Sequence, residues 1–186
     1  MTKENIDFLN EKYPSLIFNQ EKNTINGVLF IDLNYEVLDV KIKDNYKIEI
    51  DLNRTCKQGI PVVREIDNKI IDIALAKKMD VADLHLNNIN GEICIIIPPK
   101  IKEKYPNGFD LIEFLKHIEE HFYWISYFEK YNKKPWPDCG HDEIGYIQLY
   151  IENKERYSAD VKEYFGNLPR AMFRQKIKEL RKKYKL

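Results

Sequence analysis

The chain has no hydrophobic run approaching the roughly 20 apolar residues that a membrane-spanning helix needs. Its opening residues, Met1-Thr2-Lys3-Glu4-Asn5, lack the apolar core of a signal peptide. Thirty basic residues cancel thirty acidic ones, so bulk charge argues for neither a nucleic-acid nor a membrane partner. Cysteine is scarce: Cys56, Cys94 and Cys139 are odd in number and lack a regular spacing. That suits reduced thiols better than a disulfide framework, and together these absences predict a cytoplasmic protein. No internal repeat or low-complexity linker occurs, and no glycine-rich nucleotide loop leads into a helix.

What is present reads as a globular chain. Its 186 residues suit one domain, and 44% of them are hydrophobic, with many Tyr and Phe. Ile6, Leu9 and Tyr13 recur at helical spacing before Pro14. Leu16-Ile17-Phe18 is extended, and Val28–Leu33 reads as a strand after an Asn26-Gly27 turn. Val37–Ile42 alternates apolar and charged residues. Asn45 marks another turn, and Tyr46, Ile48, Ile50 and Leu52 alternate beyond it. A further strand, Ile60–Ile66, follows Gly59, giving an antiparallel meander.

Beyond the meander the helical period takes over. Ile70–Lys78 reads as a helical turn or a loop. From about Asp110 to Tyr131 an amphipathic helix carries the stripe Leu111, Phe114, Leu115, Ile118, Phe122, Ile125 and Phe128. Ile144–Glu152 and Ala159–Phe165 read as helices, although the first also passes as a strand. From 169 to 186 eight basic residues face the single acid Glu179, with Met172, Phe173, Ile177 and Leu180 at helical spacing. The expected fold class is α+β, an antiparallel meander packed by helices. The domain spans 1–168, and 169–186 forms a basic C-terminal helix or tail.

Chemistry concentrates between Asp83 and Ile97. His85 to Asn90 are polar and turn-prone, and Asn90-Gly91 tolerates positive φ. Ile93 to Ile97 is apolar and β-branched, suited to a buried strand or extended segment, until Pro98-Pro99 stops any ladder. Cys94 sits just past the turn, anchored by neighbours that go into the core. A thiol so placed is either inert packing or a positioned nucleophile.

The stretch His85-Leu86-Asn87, a short loop, then Gly91-Glu92-Ile93-Cys94-Ile95 resembles the active-site segment of ubiquitin-conjugating enzymes. That signature runs His-Pro-Asn, loop, Gly-x-Ile/Leu-Cys-Leu. Over roughly residues 15 to 130 the order of elements is also the one expected of the ubiquitin-conjugating (UBC) fold, and Pro61 falls where that family often has proline before its third strand. The resemblance implies that Cys94 is the nucleophile, that Asn87 has the polar role at the oxyanion and that His85 braces the loop. Gly91 and Asn88 support it, and Asn88 takes over the amide role if the register shifts by one. It implies neither cofactor nor metal. The similarity extends to stand-alone bacterial members, some of them in antiphage operons of the CBASS type. There the implied partner is a ubiquitin-like protein or a CD-NTase-type nucleotidyltransferase whose C-terminus is captured as a thioester, with activation by a separate adenylating enzyme. Three differences stand out. Leu86 replaces the proline, the loop is one residue shorter, and Ile95-Ile96-Ile97 follow where an aspartate often orients the amine, the next acids being Glu103 and Asp110.

Other constellations compete. His117 and His121 lie four apart on the long helix, and with Cys139 and His141 could make a tetrahedral zinc set; the spacing matches no recognised finger or ribbon. Within Pro135–His141, Trp136 and His141 suit a polar-aromatic latch closing the loop on the long helix. Cys56 reads as an exposed thiol near a turn, and Cys139 as a loop thiol. The rival from another class is an adaptor of the same fold that binds a partner without catalysis.

Overall fold

The computed structural model describes residues 1–55 and 59–186, so Cys56 lies outside the described residues. Helix α1 (Lys3–Lys12) begins at Thr2, whose hydroxyl accepts the Asn5 N–H, and buries Leu9. Four strands follow, β1 (Leu16–Asn19), β2 (Thr24–Tyr35), β3 (Val40–Thr55) and β4 (Pro61–Glu65). They form one antiparallel sheet in the order β1-β2-β3-β4, the expected meander of an α+β fold. The period of two holds: Ile25, Leu29, Ile31, Ile42, Tyr46, Ile48, Ile50 and Val63 all point to the core.

The turns fall elsewhere than the sequence suggests. Asn26-Gly27 lies inside β2, where Gly27 pairs with Leu16 and Ile48. Glycine is required there because an added Cβ would stand 1.9 Å from the Ser15 carbonyl oxygen. Asn45 is likewise mid-strand, opposite Phe30. The chain reverses instead between Tyr35 and Val40, with Asp39 in the left-handed region at φ 49°. Val37 and Leu38 are exposed at that tip. Their alternation with Asp39 imitates a strand.

Helix α2 (Lys69–Lys77) resolves the helix-or-loop choice, burying Ile70, Ile73 and Ala74. After the one-turn helix α3 (Ile101–Lys104) comes α4 (Leu111–Tyr131), opened by the Asp110 carboxylate, which accepts the Glu113 N–H at 2.9 Å. Leu111, Phe114, Leu115, Ile118, Phe122 and Ile125 are buried as the stripe requires, and Phe128 is partly covered. Phe122 stacks on Tyr46 with ring centroids 4.2 Å apart, which fixes α4 against β3. Beside that pair Ser126 Oγ donates to Asp44, whose carboxylate also takes the Lys69 ammonium. The Tyr46 hydroxyl shares a 2.7 Å hydrogen bond with Ser126.

The contacts divide the chain into two compact units, Met1–Trp136 and Pro137–Leu186. The second unit holds α5 (Asp142–Glu152), α6 (Lys154–Tyr164) and α7 (Arg170–Tyr184). Composition alone places a boundary between 168 and 169. The contacts place it earlier, because α7 buries Phe173, Ile177 and Leu180 and sets Phe173 edge-on to Tyr150 of α5.

Candidate active site

From α2 the chain enters a 3₁₀ turn, Val81–Leu84, capped by Asp80, whose carboxylate accepts the Ala82 N–H at 3.0 Å. The turn ends on His85 in the left-handed conformation at φ 61°, a strained position for a residue with a Cβ. From there the chain doubles back on itself. Leu86 bridges Ile93, and the Asn87 N–H donates to the Glu92 carbonyl at 2.7 Å. Asn88 closes the inner loop: its carbonyl oxygen Oδ1 accepts the Asn90 N–H at 2.9 Å, and its Nδ2 donates to Glu92 at 3.1 Å.

Gly91 locks this loop to the sheet. It is buried at φ 79°, and an added Cβ would stand 2.0 Å from the Glu65 carbonyl oxygen. The Glu65 N–H donates to the Gly91 carbonyl and the Ile93 N–H donates to Val63, both at 2.9 Å. Of the strand or extended segment expected over Ile93–Ile97, the structure has the extended segment, with isolated bridges only at Glu92 and Ile93. Ile95 and Ile96 are only partly buried, and Pro98 opens a 3₁₀ turn, Pro98–Lys100. The cause is local: the chain meets the edge of β4 for two residues before the prolines turn it away.

Cys94 lies at the exit of the loop, partly buried. Its N–H donates to the His85 carbonyl at 2.6 Å, and Asn87 Nδ2 donates to the Ile93 carbonyl at 3.3 Å. The His85 ring stands edge-on to Trp124 and His121 of α4, at centroid distances of 4.8 and 5.4 Å. All five site residues read from the sequence, Cys94, Asn87, His85, Gly91 and Asn88, thus fall in one ten-residue turn. Asn88 is turned toward Glu92, which leaves Asn87 as the amide bonded to the backbone beside the thiol.

Three supporting groups escape sequence reading. Glu65 is buried at the end of β4, and its carboxylate accepts N–H groups of Asp67 at 2.7 Å and Ile70 at 3.3 Å. It caps α2 in place of Asn68, whose side chain makes no cap bond. Burial raises its pKa despite those donors. Glu92 pairs with Arg54 at 2.7 Å, which holds its carboxyl below the usual range, and Arg64 approaches at 3.9 Å. Trp124 and His121, three apart on α4, form the wall behind His85. Pairing across a sheet edge leaves no local spacing signal, whereas His121 and Trp124 do share a helix face.

The proposed metal set does not assemble within the first unit. His117 Nδ1 hydrogen-bonds the Tyr105 hydroxyl at 2.8 Å, whereas His121 faces His85. Burial, reinforced by the Lys104 charge, lowers the His117 pKa to about 4. Among the described residues no group of three or more His, Cys, Asp or Glu side chains is placed to hold a metal ion. Trp136 stacks on Tyr123 at 5.7 Å and leans on Tyr35 at 4.9 Å, and its carbonyl accepts the Trp124 indole N–H at 3.4 Å, fastening the chain after α4. His141 precedes α5 in the second unit. No helix among the described residues is long and apolar enough to cross a membrane. The chain matches no protein-family model, no curated protein and no solved structure.

Proposed function

We propose that the chain is a ubiquitin-conjugating-like acyl carrier whose Cys94 thiolate captures the C-terminus of a partner protein. The partner is a ubiquitin-like protein or a CD-NTase-type nucleotidyltransferase, in bacterial antiphage defence. The observation that carries this reading is the turn itself: the Cys94 backbone is tied to His85, and the Asn87 carboxamide is bonded one residue from the thiol. A separate adenylating enzyme converts the partner's terminal carboxylate to an acyl adenylate. The thiolate attacks the acyl carbon, AMP leaves, and a thioester forms. An amine then attacks the same carbon, and the Cys94 thiolate departs as the amide forms.

Charge develops on the acyl oxygen in both steps. One Asn87 N–H is used by Ile93, which leaves the second N–H of the amide as a donor. Losing one such donor costs roughly 10²–10³ in rate at other acyl-transfer sites. The test is a non-reducing gel of the protein with partners encoded beside it, their activating enzyme and ATP. Wild type should give a thiol-sensitive adduct, Cys94→Ser a thiol-resistant oxyester and Cys94→Ala none. Cys56→Ala and Cys139→Ala should load normally. An adduct that survives Cys94→Ala would remove the basis of the proposal, and the absence of any adduct would favour the non-catalytic adaptor.

A further inference from the structure

The basic helix α7 carries two kinds of cation. Lys176 and Lys183 lie toward Glu143 of α5, at 3.4 and 3.9 Å, and so are partly neutralised within the second unit. Arg174, Lys178, Arg181 and Lys182 make no ion pair among the described residues. Positions spaced four, three and one apart fall on one side of a helix, over about 12 Å of its length. With Ile177 and Leu186 these four line a single open hollow. The Leu186 N–H returns to the Arg181 carbonyl at 3.0 Å, which folds the chain end back over the last helical turn.

We propose that this hollow docks an acidic amphipathic helix of a partner protein, with an apolar side chain seated against the exposed Leu186 and carboxylates paired to the four cations. The chemistry selects among anionic ligands. A bilayer would require the helix to insert its apolar face, but Phe173, Ile177 and Leu180 are already buried in the second unit. A single nucleic-acid strand would use stacking surfaces, yet none of the six lining residues is aromatic. Two arginines offer planar forks that match carboxylates, and the exposed Leu186 side chain gives a hydrophobic anchor a contact beside them. Four like charges left uncompensated along one helix repel one another, and a partner's carboxylates relieve that repulsion. The inference does not depend on thioester chemistry at Cys94.

The test is fluorescence anisotropy of the full chain with three labelled probes. These are a synthetic amphipathic helix of Glu and Leu, the same helix with Gln for Glu, and a single-stranded oligoribonucleotide of equal length. The acidic peptide should bind best, with affinity falling as salt rises. The double variant Arg174→Glu, Arg181→Glu should weaken it at least tenfold. Lys162→Glu, an exposed base on α6, should leave binding within twofold. Circular dichroism and the melting temperature show that each variant is folded. A further arm, Leu186→Ser, should weaken the peptide without altering the fold. Tighter binding of the oligoribonucleotide, equal binding of the Gln peptide, indifference to charge reversal or no peptide binding at all would each overturn the proposal.

Discussion

At the scale of single residues, the turn around Cys94 is held by backbone geometry that tolerates few substitutions. Gly91 combines φ 79° with a carbonyl oxygen 2.0 Å from where a Cβ would go. The left-handed conformation alone costs an L-residue roughly 1–2 kcal/mol, and the clash adds to it. Gly91→Ala should therefore lower stability by more than that and displace the loop from β4. A denaturant titration measures the first effect, and faster amide exchange at Glu65 reports the second. A second residue-scale prediction concerns pH. The His117 pKa falls from 6.5 to about 4 in the folded chain, so the unfolded chain binds more protons between those values. Stability is then fully present above pH 6.5 and is lost as pH falls toward 4, by up to about 3 kcal/mol from this group. His117→Gln, which keeps an acceptor for the Tyr105 hydroxyl, should show a smaller loss over that window in denaturant midpoints taken at successive pH. Equal slopes for the two proteins would contradict it. The identities of these residues were legible in unequal measure. Gly91 was marked by the Asn-Gly pair and Cys94 by its place just past it. Glu65 was not, because its partners are backbone N–H groups that any sequence supplies.

Among the elements, α4 carries the packing. Phe122 is fully buried and stacked on Tyr46, so Phe122→Ala should cost on the order of 3–5 kcal/mol. Thermal or chemical unfolding would measure it, and a loss under 1 kcal/mol, of the size seen at surface sites, would mean the side chain is not core. The helix was legible because seven apolar residues recur at one period and Asp110 caps the start. The strands were legible as strands, but their joins were not. Asn26-Gly27 has the composition of a turn, yet its glycine answers the close approach of Ser15, just ahead of β1, a contact between segments with no local signature. Conversely, the true reversal at 36–39 carries Val37 and Leu38, whose exposure no pattern of alternation could announce. Sequence left Ile93–Ile97 open between a strand and an extended segment because β-branched residues fit any extended, half-buried path, and the chain pairs only through isolated bridges at Glu92 and Ile93.

Across the whole molecule, an antiparallel meander with α4 against it places one loop so that a partly covered thiol, an amide and an imidazole share a single turn. The second unit contributes a helix whose cations divide into paired and unpaired sets, a distinction that composition could not draw. Cys94 is proposed to carry an acyl group. That proposal is tested most directly by intact-mass spectrometry of the full chain after incubation with a neighbour-encoded partner, its adenylating enzyme and ATP. The expected product is a species heavier by the partner less one water, reversed by thiol reagent, absent in Cys94→Ala and still formed in Asn87→Ala, whose transfer to an amine should be slower by roughly 10²–10³. A mass shift that persists in Cys94→Ala would contradict it, as would a wild-type chain left unmodified by every such partner.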